Sequence, residues 1–159
     1  MKLRIEEKTV RDWRRSLLNA MTREIGGVLY GEHVGEADFR VVAFSTQTVG
    51  GDQTSFRRDA LIAKRELSEM ANVFGNEHSR FNYLGEWHSH PNAEALPSPK
   101  DIATMHNLLT DPTTNVNFLI LIIVRLSRHN TVEVSAHTFL ASGHTLQCEI
   151  MIEKGEREQ

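Results

Sequence analysis

Two histidines two residues apart, His88 and His90, lie in the segment Gly85-Glu86-Trp87-His88-Ser89-His90-Pro91, and Asp101 follows in Leu96-Pro97-Ser98-Pro99-Lys100-Asp101. On an extended strand, alternation puts both imidazoles on one face, whereas on a helix they would diverge by about 200°. A strand can therefore present two nitrogen ligands to one metal ion, and Asp101 can reach back across the Pro-rich loop to add an oxygen. Two imidazoles and a carboxylate are a mixed set that suits a catalytic zinc with its fourth position left to water, and the thiolates of a closed structural site are missing. Zinc lowers the pKa of bound water towards roughly 7. Peptide cleavage also needs a carboxylate that takes the water's proton and hands it to the leaving amine. Glu24, just before Gly26-Gly27, and Glu86, with the same strand parity as His88 and His90, are the two candidates. Parity makes Glu86 the nearer one, and spacing leaves both open.

The elements that must hold these residues read as one α/β unit without repeats, low-complexity blocks or linkers. Val10, Trp13, Leu17 and Met21 recur at helical spacing, which predicts an amphipathic helix over 10–21. The runs 26–31 and 39–44, separated by a turn containing Gly35, suggest a hairpin, and 48–54 reads as a loop. Phe56, Ala60, Ala63, Leu67, Met70 and Phe74 predict a second helix over 55–74, closed by Gly75. Arg57, Arg58, Lys64 and Arg65 would form its solvated face. A strand over 81–90 ends at Pro91, and a helix over 98–109 has Ser98 as cap, Pro99 at its first position and Asp101 at the positive end of its dipole. Phe118–Leu126 is apolar enough for a central strand covered on both faces. Strands over 131–139 and 145–152 follow, and a charged, frayed tail begins at Glu153. The domain would span 1–152 and the tail 153–159.

With 159 residues, 40% of them hydrophobic and 25% charged, the chain has one ordinary domain's worth of sequence and the composition of a folded protein. The net charge of -3 gives no basic footprint for nucleic acid. The single Cys148 excludes an intramolecular disulfide, and the stretch 1–8 is charged where a signal peptide would be apolar, so a cytoplasmic, reducing setting is expected. The longest apolar run, from Phe118 to Val124, falls far short of the roughly 20 residues of a membrane span.

His88-x-His90 followed by Ser98 and Asp101 resembles the metal-binding signature of the JAMM (MPN+) metalloproteases, and Arg23-Glu24-Ile25-Gly26-Gly27-Val28-Leu29-Tyr30-Gly31 is similar to their upstream segment. The resemblance implies a single MPN-like domain of α+β layers, with a central mixed sheet flanked by helices. It also implies that His88, His90 and Asp101 hold Zn2+, that Glu24 is the general acid/base, and that Ser98 hydrogen-bonds the developing oxyanion. Glu86 becomes a neighbour that tunes the site or orients a ligand. Relatives of this kind cut peptide or isopeptide bonds after ubiquitin-like C-terminal tails, so the implied partner is a protein with an extended tail, captured along a free sheet edge near the metal. Tyr83-Leu84-Gly85-Glu86-Trp87-His88-Ser89-His90-Pro91 looks most like the stand-alone bacterial deconjugating proteases of CBASS antiphage operons, which would make the substrate a conjugated cyclic-nucleotide synthase.

Blander assignments stand beside these. An isolated His-x-His is more often packing than a metal site, Ser98 and Asp101 have the spacing of a capping pair, and Gly26 and Gly27 suit close strand packing. His33, His78, His106, His129, His137 and His144 lack ligand spacing and read as structural or solvated, and Cys148 as a small core residue. The competing classes are a catalytically silent scaffold of the same fold and, further off, a DNA-repair-associated relative. Zinc deaminases need paired cysteines, and zincins a His-Glu-x-x-His helix, and the chain has neither.

Overall fold

The first strand is not among the elements expected from periodicity: Leu3 and Ile5, both fully buried, alternate with charged residues in β1 (Lys2–Glu6). The structure, a computed structural model, describes residues 1–53 and 55–155. The chain continues through α1 (Glu7–Ala20), β2 (Gly26–Gly35), β3 (Asp38–Phe44), α2 (Ala60–Val73), β4 (Phe81–Ser89), α3 (Pro99–Thr110), β5 (Phe118–Leu126), β6 (Val132–Leu140), β7 (Thr145–Gln147) and β8 (Glu149–Glu153). This is the expected single α/β domain, a large mixed sheet flanked by three helices. None of the helices is long and apolar enough to cross a membrane.

The strand order is β7-β6-β5-β4-β2-β3-β1-β8, with β1–β3, β1–β8 and β4–β5 parallel and the other pairs antiparallel. The expected strand over 145–152 is one extended segment that changes partners at Cys148, whose N–H bonds Ala136 while Glu149 N–H bonds Met1. The sheet thus curls until its two edge strands are consecutive parts of one chain. Cys148 is buried there, 3.0 Å from the Thr138 hydroxyl.

Two cores form on opposite faces. Trp13 of α1 packs between Phe44 and Trp87, at ring distances of 5.5 and 5.7 Å, over Ile120, Ile122 and Val124. Met105 of α3 covers Leu119, Leu121, Ile123 and Phe139. Strand β5 therefore buries both its faces, as its unbroken apolar run predicts.

Some boundaries move for local reasons. Helix α1 starts at Glu7, directly after β1. Helix α2 starts at Ala60, because Asp59 caps it by accepting from the N–H groups of Leu61 and Ile62. Residues 55–58 are consequently not helical, and Arg57 and Arg58 do not belong to a solvated helix face. Strand β8 runs through Glu153, where fraying was expected, while residues 156–159 of the expected tail lie outside the described residues.

Glu153 is fixed by charge. Arg4 grips Asp38 with two bonds of 2.8 Å and reaches Glu153 at 2.9 Å, and Arg40 joins Glu153 at 2.8 Å to Glu32 at 2.6 Å. The Arg4 guanidinium holds the Asp38 carboxyl below its ordinary range, and Arg40 and Arg4 do the same for Glu153. A carboxylate whose folded pKa is depressed stabilises the fold above its unfolded value and loses that contribution as pH falls through the folded value. The urea midpoint should therefore drop between about pH 5 and pH 2, and Arg4→Met, which removes the main cause of the Asp38 depression and the lesser one at Glu153, should make that drop shallower.

Candidate active site

His88 sits near the end of β4 and His90 just beyond it, where the His90 N–H bonds the carbonyl of Val124 at 2.9 Å. The parity that brings His88 to the α3 face depends on an irregularity. Tyr30 pairs with Tyr83 but Leu29 pairs with Gly85, so Leu84 is an extra residue on β4. Tyr83 and Glu86, which strict alternation would place on opposite faces, meet with the Tyr83 hydroxyl 3.4 Å from Glu86 Oε1. Past this bulge, Glu86 and His88 lie opposite Leu121 and Ile123 of the α3-side core.

Asp101 comes from the first turn of α3, inside a capping box. Ser98 Oγ accepts from the Asp101 N–H at 3.1 Å, and Asp101 Oδ2 accepts from the Ser98 N–H at 2.8 Å. The capping expectation for this pair is met, and Ser98 keeps its own hydroxyl proton to donate. Asp101 then faces both histidines, Oδ1 lying 3.3 Å from His88 Nδ1 and Oδ2 3.2 Å from His90 Nε2. The other His90 nitrogen, Nδ1, is 3.0 Å from the carbonyl of Glu94; donation there leaves the Nε2 lone pair facing inward. Glu24 precedes β2, held by its N–H on the carbonyl of Asp52 at 2.6 Å. Glu24, Glu86, His88, His90, Ser98 and Asp101 line one cavity of about 150 Å³, with Arg58 and Phe56 also in its wall. The site residues expected from the sequence are thus brought together. Among the described residues, no group of three or more His, Cys, Asp or Glu side chains is disposed to hold a metal ion as the side chains stand.

Residues 6–138 match the family described as prokaryotic homologs of the JAB domain. The chain belongs to this family. A solution structure of a protein from Desulfitobacterium hafniense is similar in fold, with a TM-score of 0.66, 18% identity and coverage of 98% of this chain and 95% of that one. Another, from Salinibacter ruber, has a TM-score of 0.55 and 19% identity, covering 99% and 94%. No curated protein matches.

In this JAB domain the two glutamates differ in kind. Glu86 is completely buried and ion-paired to Arg58 Nε at 2.6 Å, so the carboxylate that parity places beside the histidines is already engaged. Glu24 is half-exposed to the cavity, and burial pushes its carboxyl above the ordinary value, partly countered by His90. A carboxyl raised in this way is suited to exchanging a proton. Burial opposes ionisation of Asp101, but hydrogen bonds from His88, His90 and the Ser98 N–H outweigh it and hold the carboxyl well below the usual range. Burial likewise opposes the charge on His88, yet Asp101 and Glu86 raise its pKa to about 9.

Three further residues build the site without having drawn notice in the sequence. Ser89 Oγ accepts from the Ile25 N–H at 2.9 Å, locking β4 to the residue after Glu24. Buried Gln47 ties down the loop between β3 and α2: its amide donates to the carbonyls of Val49 and Arg57 and accepts from the Asp59 N–H. Gly51 passes so close that an added Cβ would lie 1.9 Å from the carbonyl oxygen of Glu24. Gly26 and Gly27 serve close packing, as expected: a Cβ would fall 2.3 Å from the Trp87 carbonyl at Gly26 and 2.1 Å from the Ser45 carbonyl at Gly27. Among the described residues, the two strands nearest the histidines, β2 and β4, are each paired on both sides. Of the remaining histidines, none lines this cavity.

Proposed function

We propose that this JAB-domain chain is a zinc-dependent peptidase or isopeptidase that cuts after an extended C-terminal tail on a protein. The observation that carries the reading is the convergence of Glu24, His88, His90, Asp101 and Ser98, from separated stretches of chain, on one cavity. The donor chemistry fits a divalent cation. The Asp101 carboxylate lies 3.3 Å from His88 Nδ1 and 3.2 Å from His90 Nε2, close to the separation of neighbouring ligand atoms around a tetrahedral ion with bonds of about 2.0–2.1 Å. His88, His90 and Asp101 would hold the metal. Bound there, zinc would supply a Lewis acid that polarises the scissile carbonyl and acidifies water. Glu24 accepts the proton of the attacking water and returns it to the departing amine. Ser98 Oγ donates to the carbonyl oxygen as charge develops on it.

Membership of a family that includes metalloisopeptidases supports this reading. The likeness of residues 83–91 to CBASS deconjugating proteases favours a cyclic-nucleotide synthase joined through its C-terminus to other molecules as the substrate, and a cytoplasmic place of action. Because neither β2 nor β4 offers a free edge, the tail would lie across the cavity mouth beside Ser55, Phe56 and Ala93.

Purified protein should carry about one zinc per chain and release a folded reporter from a C-terminal conjugate, measured by elemental analysis and gel shift. His88→Ala and Asp101→Ala should each lose both properties. A chain that emerges from zinc-replete expression without metal would instead be a scaffold of the same fold.

A further inference from the structure

Glu86 is a carboxylate in a place normally given to an apolar side chain, on an interior strand and fully removed from solvent. Burying a carboxylate is unfavourable unless its partners compensate, so those partners indicate its purpose. One oxygen, Oε1, is ion-paired to Arg58 Nε at 2.6 Å without hydrogen-bond geometry and accepts from the Tyr83 hydroxyl at 3.4 Å. The other, Oε2, is buried without a hydrogen bond and faces His88 Nε2 at 3.5 Å, itself a buried nitrogen without a hydrogen bond. Two buried atoms without hydrogen bonds thus lie next to each other, while the opposite nitrogen of the same ring, Nδ1, lies 3.3 Å from Asp101. The imidazole is lined up between two carboxylates. His90 has the same arrangement, with the Glu94 carbonyl in the rear position.

An Arg58–Glu86 pair serving only the fold would need neither the parity change in β4 nor a second carboxylate oxygen left 3.5 Å from His88 Nε2. We infer that Glu86 is a positioning residue that holds the His88 ring through Nε2, so that Nδ1 is presented beside Asp101, with Arg58 anchoring Glu86 from the loop before α2. The inference rests on the zinc reading above and extends it to the residues behind the ligands. Partners behind metal-bound histidines typically change metal affinity by about 10–100-fold when removed.

The test uses Glu86→Gln and, as an independent arm, Arg58→Gln, in the full chain. Chelator competition should show zinc bound about 10–100-fold more weakly in each, and the visible spectrum of the cobalt-substituted protein should change. In the metal-free protein, the His88 Nε2–H resonance should be deshielded and exchange slowly in the wild type, and move upfield and exchange faster in both variants. Should Glu86→Gln fail to fold, Arg58→Gln decides on the same readouts. Wild-type zinc affinity, an unaltered cobalt spectrum and an unmoved His88 resonance in the variants would overturn the inference. A wild-type chain that binds no zinc would remove the proposed function instead, and the metal-free resonance would still decide whether Glu86 holds His88.

Discussion

Glu24→Gln should abolish conjugate cleavage, by about 10²–10⁴-fold or to the detection limit, while zinc content stays at the wild-type level. Glutamine keeps the size and hydrogen-bonding reach of the side chain but can neither take up a proton nor pass one on. The metal is expected to stay because its proposed ligands, His88, His90 and Asp101, are held by β4, the Glu94 carbonyl and the α3 capping box, and none of these contacts uses the Glu24 carboxylate. The same substitution has a second expected effect in the metal-free protein. Burial raises the Glu24 pKa, and a carboxyl raised on folding costs stability at pH values above its folded pKa and nothing below its unfolded one. Glu24→Gln should therefore raise the melting temperature at pH 7, with the gain vanishing as pH falls below about 4. If Glu24→Gln kept its activity and Glu86→Gln lost it with zinc in place, the acid/base role would belong to Glu86.

The contrast between these two carboxylates shows where the sequence is legible. His88 and His90 could be grouped because alternation along a strand is rigid and their separation is even. Asp101 could be added because Ser98-Pro99 marks a helix start, which fixes where the following carboxylate must stand. Parity favoured Glu86 over Glu24, and the structure places Glu86 beside His88 as parity says. What parity leaves out is Arg58, which comes from a segment that periodicity assigned to α2; Phe56 and Ala60 match helical spacing, yet Asp59 caps the helix four residues after it was expected to begin. Phe56 packs instead on the His88 ring, at 5.2 Å. Strand β1 was hidden by its charges, although Leu3 and Ile5 alternate with them. Ser89 acts through one hydrogen bond to distant backbone and Gln47 through three to the backbone of its own loop, roles that leave no periodic trace. The glycines carried a legible signal at 26 and 27 because they are adjacent, whereas Gly85 reads as an ordinary strand residue.

Gly85→Ala should be severely damaging, expected to cost roughly 3 kcal/mol or more and to leave little folded protein. Two separate penalties meet at this position. The backbone has φ +146°, a conformation that side chains disfavour, and an added Cβ would lie 1.9 Å from the Ile120 carbonyl oxygen and 2.7 Å from its nitrogen. Both obstructing atoms are backbone in β5, whose side chains fill the two cores, so neither can move aside as a flexible side chain would. Gly143→Ala provides the comparison, because it also has a positive φ, +92°, but no atom within 4 Å. That change carries only the conformational cost, about 1 kcal/mol, and thermal or urea unfolding should separate the two variants clearly. The consequence extends beyond stability. Gly85 sits in the irregularity that turns Glu86 and His88 towards α3; if a folded Gly85→Ala chain restored strict alternation, His88 would point into the Trp13 core and away from Asp101. Any folded fraction of Gly85→Ala should therefore also lose zinc. A variant that melts like wild type and keeps its metal would mean that the bulge is not what aims the site.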